Sequence, residues 1–244
     1  MEEIVNGIVL RAVDYKDSDK IITLFTIEKG IITAGAKGVK KAGAKLKFAV
    51  EPYCFAEYVL AKKSNRYTVI SAQYLDSFYN LRTNLKKYYV SGAMGEVMLA
   101  ALRENDADTS MFSVFMEAVK DVNYGDAEKL AFIKFLVRLF KISGYGIESE
   151  LCAFCGKKIS GRVFFNFQNA DFSCEEHCLE GYKEITPLTY NAFIAAKNAA
   201  FSGDNDEFLT LSDDAQNKLI KFLLYYFNYK TDAVIKSEAF VLTV

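Results

Sequence analysis

A chain of 244 residues that is 51% hydrophobic and 25% charged has enough apolar mass for one large folded domain or two to three smaller ones. Two prolines, and no tract rich in serine, proline or glutamine, exclude a long disordered arm or linker, so any domains abut closely. The formal net charge of -1 hides an asymmetry: residues 37–66 hold Lys37, Lys40, Lys41, Lys45, Lys47, Lys62, Lys63 and Arg66 against only Glu51 and Glu57, which is where a polyanion is attracted.

In chain order, GIVLRAV (7–13), KIITLFTI (20–27), IITAGAKG (31–38), YCFAEYVLAK (53–62) and RYTVISAQYL (66–75) are β-branched or apolar runs that predict five strands. EKG (28–30) supplies a hairpin turn with Gly30 where positive φ is needed, and KKSNR (62–66) a short polar turn. Five short strands with tight turns predict a small antiparallel barrel of the OB type. The one long connection, residues 38–52, is also the most basic.

After residue 80 the apolar period changes from two to about 3.6. Helices are expected over 85–104, 111–122, 126–144, 186–201 and 212–230, the fourth with Thr186 as cap and Pro187 at its first position, the fifth opening on Ser212 and Asp213. The predicted architecture is α+β and multidomain: residues 1–80 form an OB-fold barrel that binds DNA, and residues 81–244 an α-helical domain interrupted at about 148–182 by a metal-binding ribbon. The opening MEEIVNGIVL puts acids ahead of apolar residues, and no apolar run reaches the roughly 18 residues of a membrane span. A cytoplasmic protein without membrane attachment is expected.

Residues 152–178, CAFCGKKISGRVFFNFQNADFSCEEHC, hold four of the five cysteines and the sole histidine. Cys152 and Cys155 form a C-x2-C knuckle that turns two thiolates toward one ion, and Cys174 opens a second pair eighteen residues later, a strong signal for tetrahedral zinc. Cys178 is the expected fourth ligand because thiolate is the softer donor, with His177 as the alternate. Four strong donors leave no open position, so one structural Zn2+ per chain is expected and no catalytic one. Cys174 and Glu176 have C-x-E spacing, but they follow the C-x2-C, and Leu151 stands where a zinc deaminase has proline. The strand-like RVFFNF (162–167) between the pairs fits a zinc ribbon, a unit too small to fold without its metal.

Other motifs fail. GVKKAGAK (38–45) has P-loop glycine spacing, but Ala44 occupies the lysine position. DYKDSD (14–19) lacks the glycine and closing glutamate of a calcium loop. With the single histidine beside the cysteines, no Ser-His-Asp triad is available, and no catalytic residue is expected. What remains is a lysine-rich connection on a small barrel, with Phe48, Tyr53, Phe55, Tyr58 and Tyr67 nearby. Such barrels combine backbone charge neutralisation with base stacking. Lys37, Lys40, Lys41, Lys45, Lys47 and Arg66 are the expected phosphate contacts, with Arg11 and Lys20 as further candidates. A zinc-ribbon adaptor that binds proteins and no nucleic acid is the competing reading.

The order of parts resembles a known family. Val9-Leu10-Arg11, Tyr15, Asp19, Ile22-Thr23-Leu24-Phe25-Thr26, Gly30 and Ala36-Lys37-Gly38, followed by a helical domain with C-x2-C and a second ligand pair, are similar to the RecO family of bacterial recombination mediators. The resemblance implies an OB-fold, a helical domain with a zinc-binding segment, binding of single- and double-stranded DNA, and annealing of complementary strands. It implies three partners: RecR, the acidic, apolar C-terminal tail of single-stranded DNA-binding protein, and the RecA recombinase loaded with their help. It also implies a location in the bacterial cytoplasm, associated with the nucleoid. The family usually has two residues between its second pair of ligands, whereas Cys174 and Cys178 have three.

Overall fold

The computed structural model describes residues 2–64 and 66–244, so Asn65 of the KKSNR turn lies outside the described residues. Strands β1 (Glu2–Tyr15), β2 (Asp19–Thr26), β3 (Gly30–Ala36), β4 (Phe55–Lys63) and β5 (Arg66–Asp76) form a closed barrel in the order β1-β2-β3-β5-β4. Their alternation sets the inside: Val5, Val9, Ile22, Leu24, Ile32 and Leu60 fill the barrel, because successive strand residues face opposite ways. A bulge at Leu10 resets the register, so that Val9 pairs with Leu24 but Arg11 with Thr23. Arg11 therefore faces solvent while Ala12 packs on the core.

Closure depends on β3 and β5, which run parallel and, among the described residues, pair at Ala34 with Tyr67 and Gly35 with Thr68. The connection over residues 37–54 caps this end of the barrel. Val39, Ala49 and Val50 enter the core, and the Tyr58 hydroxyl donates to the Ala49 carbonyl at 2.9 Å. The strand expected from residue 53 begins at Phe55 instead, because Tyr53 sits at φ +63 and its N–H donates to Val9 O at 2.8 Å, a turn and not a strand pairing.

The barrel shares one compact unit, residues 1–125, with α1 (Asn80–Thr83), α2 (Leu85–Ala101) and α3 (Thr109–Tyr124). Asn84 caps α2 by accepting from the N–H groups of Lys86 and Lys87, and Asp108 caps α3 by accepting from Ser110 and Met111, which satisfies donors that a helix start leaves free. Phe25 of β2 meets Phe112 and Phe115 of α3 edge-on, at 5.0 and 5.8 Å between ring centres. Gly30 does more than turn a hairpin. It stands at φ +63, and a Cβ there would lie 2.0 Å from the carbonyl oxygen of Asp106.

The second compact unit, residues 126–244, holds α4 (Glu128–Ile142), β6 (Val163–Asn166), β7 (Asp171–Cys174), β8 (Tyr182–Ile185), α5 (Pro187–Phe201), α6 (Asp206–Leu209), α7 (Asp213–Thr231) and α8 (Glu238–Val241). Thr186 and Ser212 cap α5 and α7, as their sequence positions suggest. Antiparallel strands in the order β7-β6-β8 make a small sheet whose aromatic face packs on the helices. Phe172 meets Tyr190 and Phe193 of α5, and Phe165 meets Phe222 and Tyr226 of α7, at 5.0–5.7 Å. Each such buried ring contributes about 2 kcal/mol by the area it removes from water. Thus the strand-to-helix change falls near residue 80, whereas compactness divides the chain after Gly125. No helix among the described residues is long and apolar enough to cross a membrane.

Candidate metal centre and nucleic-acid interface

The knuckle is built by backbone pairing. Cys152 N–H donates to Lys157 O and Gly156 N–H to Cys152 O, at 3.0 and 2.9 Å, and Gly156 at φ +67 lets the chain reverse after Cys155. Ala153 N–H then donates to Phe172 O at 2.8 Å, which docks the knuckle on β7 and brings Cys174 beside it. Directly after Cys174, a 3-10 turn over Glu175–His177 returns the imidazole to the thiols, with Nδ1 3.1 Å from the Cys174 sulfur. One ligand atom each from Cys152, Cys155, Cys174 and His177 lies within 4.8 Å of the others.

The expected fourth ligand, Cys178, is not in this set, and His177 takes the position. The physical reason is the turn: it folds residue 177 back over Cys174, whereas Cys178 leaves in extended geometry and is exposed. Ring packing supports the arrangement, since His177 stacks on Phe154 at 6.0 Å and 12°. Arg162 braces the turn from outside by ion pairs at 2.7 Å to both Glu175 and Glu184.

Burial opposes ionisation of Cys152, but N–H groups of Cys155, Cys174 and Phe154 converge on its sulfur and bring the thiol down to about 6. Cys174 is instead pushed up, first by burial and then by the neighbouring sulfurs of Cys152 and Cys155. A positive ion among them removes this conflict. Three sulfurs and one ring nitrogen are a tetrahedral donor set consistent with zinc.

On the barrel, the lysine connection is anchored rather than loose. The Asp19 carboxylate accepts from Gly38 N–H at 2.8 Å, with Gly38 at φ +68, and Lys40 N–H donates to Ser18 O at 3.0 Å. Of the lysines that the sequence points to, Lys40 is tied to Asp14 by an ion pair of 2.6 Å. Lys37, Lys41, Lys45 and Lys47 are exposed, and the last three have no ion-pair partner among the described residues. Lys20 stands half-exposed at the start of β2, opposite Asp14 and Ala36.

Arg11 and Arg66 stand at the two ends of a row on one outer face. Arg11 pairs across to Thr23, Thr23 to Thr33, and the parallel pairing of Ala34 with Tyr67 sets Arg66 beside Thr33. The row Arg11-Thr23-Thr33-Arg66 crosses four strands, roughly 14 Å from end to end at the spacing of a sheet. The side chains between the two guanidinium groups are small and uncharged. Charge and motif patterns pass over the two threonines, although their outward places in the alternation of β2 and β3 are readable.

The structure also sorts the aromatics. Tyr53, Tyr58 and Tyr67 are buried in or against the barrel, and the half-buried Phe55 packs on Phe112. Phe48 is partly exposed beside Lys47 and meets Tyr74 edge-on at 6.0 Å. Tyr74, at 49% exposure, escapes a sequence reading because it follows the readable alternation of β5.

The chain matches two family models in succession, Recombination protein O N terminal over residues 1–78 and Recombination protein O C terminal over residues 82–238. It is 28% identical over 216 residues to a "DNA repair protein RecO" of Clostridium perfringens, covering 88% of this chain and 87% of that one. It is 30% identical over 188 residues to a protein of the same description from Acetivibrio thermocellus, covering 77% and 74%. A third, from Bacillus pumilus, is 27% identical over 170 residues, 69% of this chain and 66% of its own. With the barrel and the cysteine-bearing helical part each matched in order, the chain belongs to the RecO family of DNA repair proteins.

Proposed function

We propose that the chain is a non-enzymatic mediator of DNA repair and recombination. It binds single- and double-stranded DNA through the barrel of residues 1–80, anneals complementary strands, and helps load a RecA-type recombinase onto single strands coated with single-stranded DNA-binding protein. Its partners in this reading are RecR and the acidic C-terminal tail of the coating protein, and it works in the cytoplasm at the nucleoid. One Zn2+, held by Cys152, Cys155, Cys174 and His177, keeps the ribbon within residues 148–182 folded and takes no part in chemistry.

The observation that carries the reading is the anchored loop on a closed barrel, with Lys41, Lys45 and Lys47 exposed and without ion-pair partners among the described residues, on the same barrel as Arg11 and Arg66. Charge fixed in place neutralises phosphates without first having to be ordered. Annealing follows when two strands have their repulsion screened while their bases stay free to pair. Fluorescence anisotropy of a labelled single-stranded oligonucleotide over a salt series, with zinc measured on the same sample, tests it. Binding that weakens steeply with salt, at one zinc per chain, is expected. Absence of binding at low salt with zinc in place would sink the nucleic-acid reading and favour a protein adaptor.

A further inference from the structure

Within residues 126–244, the end of β6 and the solvent side of α7 enclose a shallow cleft of about 130 Å³. Its walls are rings. Tyr225 and Tyr229 are 51% and 48% exposed, and Phe167 packs between them at 4.9 and 5.9 Å. The tyrosines stand one turn apart on α7, a rise of about 6 Å, which suits successive bases of a stretched single strand.

Two cations border the rings. The Lys183 ammonium lies 6.0 Å from the centre of Phe167 and 5.8 Å from that of Tyr225, and Lys230 lies 6.0 Å from that of Tyr229 while donating to Gln168 O at 2.7 Å. Neither has a carboxylate partner among the described residues, whereas Lys129, Lys141, Arg162, Lys197 and Lys218 of the same unit all do. The cleft also holds amides with spare capacity. Asn166 spends its Oδ1 on the N–H groups of Gln168 and Asn169, which leaves its Nδ2 open beside Gly181, a residue at φ +90 where a Cβ would crowd that nitrogen at 3.3 Å. The side chain of Gln168 has no partner among the described residues.

We propose that this cleft is a second binding site for single-stranded nucleic acid, on which bases stack against Tyr225 and Tyr229 while Lys183 and Lys230 meet the phosphates. Flat ring faces, two uncompensated cations and free amide groups are the complement of a base with its phosphate. An acidic peptide would use the lysines but leave the amides and the second ring face unmatched. The inference rests on the reading of the chain as a DNA binder and adds a second point of attachment on the other unit.

The test is photocrosslinking of the full chain to a single-stranded oligonucleotide carrying 5-iodouracil, with peptide mapping, beside anisotropy titrations of Tyr225→Ala, Tyr225→Phe and Lys183→Gln. Crosslinks in α7 as well as in the barrel are expected. Tyr225→Ala should weaken binding about fivefold or more, Tyr225→Phe should restore it, and Lys183→Gln should lower the salt slope by about 0.7. If Tyr225→Ala fails to fold, the exposed Lys183→Gln change carries the test. Crosslinks confined to the barrel, with both variants binding like the parent, overturn the second site and leave the barrel reading intact. Crosslinks confined to α7 sustain the second site and remove the barrel one, and crosslinks in neither part remove both.

Discussion

The barrel closes by strand pairing around its whole circumference and is filled mainly by aliphatic side chains from all five strands, whereas the sheet β7-β6-β8 has three short strands, and its β7 edge is met only by the knuckle at Cys152 and Ala153. What the small sheet lacks in hydrogen bonds it gains from two other sources: aromatic packing on α5 and α7, and a cluster of three cysteines and a histidine tying the knuckle to β7. A closed sheet with its own core can keep its function on the outside and tolerate change there. In the reading proposed above, a sheet of this size depends on its metal ligands, because four-residue strands bury too little to offset their own ordering.

The widest separation between the two should come from metal removal. Structural zinc sites contribute on the order of 10 kcal/mol, so Cys155→Ala or a strong chelator is expected to release the metal and open residues 150–180 to protease. Limited proteolysis with mass mapping should find residues 2–125 still resistant, and an intact ribbon without metal would refute the structural role. Gly30→Ala should reverse the pattern. The added methyl meets the Asp106 carbonyl at a left-handed position, and a loss of more than about 2 kcal/mol is expected from the strain alone. Urea melts followed by probes in each unit would show whether the damage stays on the barrel side.

Charge reversal of Lys41, Lys45 and Lys47 together should leave both units folded. It should lower the slope of log affinity against log salt by about 2 for single strands, at about 0.7 for each phosphate that is no longer neutralised. An unchanged slope would remove the loop from the interface. Within the ribbon, His177→Ala should weaken metal binding while Cys178→Ser leaves zinc content and melting unchanged; the opposite result would restore Cys178 as a ligand. The smallest effect concerns pH. The Gly38 N–H holds the Asp19 carboxyl below the usual 3.8, so its grip on the loop is complete above that value. The grip is lost only as pH falls through the lower folded value, and DNA binding should show no step from this group near neutrality.

Much of this is legible because it is local. Cys152 and Cys155 announce a knuckle by spacing, and Thr186-Pro187 and Ser212-Asp213 announce helix starts by capping chemistry. The sequence names Tyr58 only as one aromatic near the lysines, and the structure puts it inward between Ala56 and Leu60. What escapes depends on distant partners or on turn geometry. Donor softness favours Cys178, but the 3-10 turn that selects His177 has no marker in EEHC. Gly30 reads as a hairpin glycine, and nothing near it names Asp106, which arrives 76 residues later. Periodicity finds the start of the helices near residue 80 but does not tell that α1–α3 share a compact unit with the barrel.

The seam between β3 and β5 also orders events in time. Ala34 and Tyr67 pair across 33 residues of chain, whereas β4 and β5 meet across a short turn, so closing the seam carries the larger entropic cost. The lysine connection spans that interval, hung from Asp19 at one end and propped by Tyr58 at the other. Its near end can be tied to Ser18 and Asp19 as soon as β2 is in place, whereas its far end gains the Tyr58 prop only with β4.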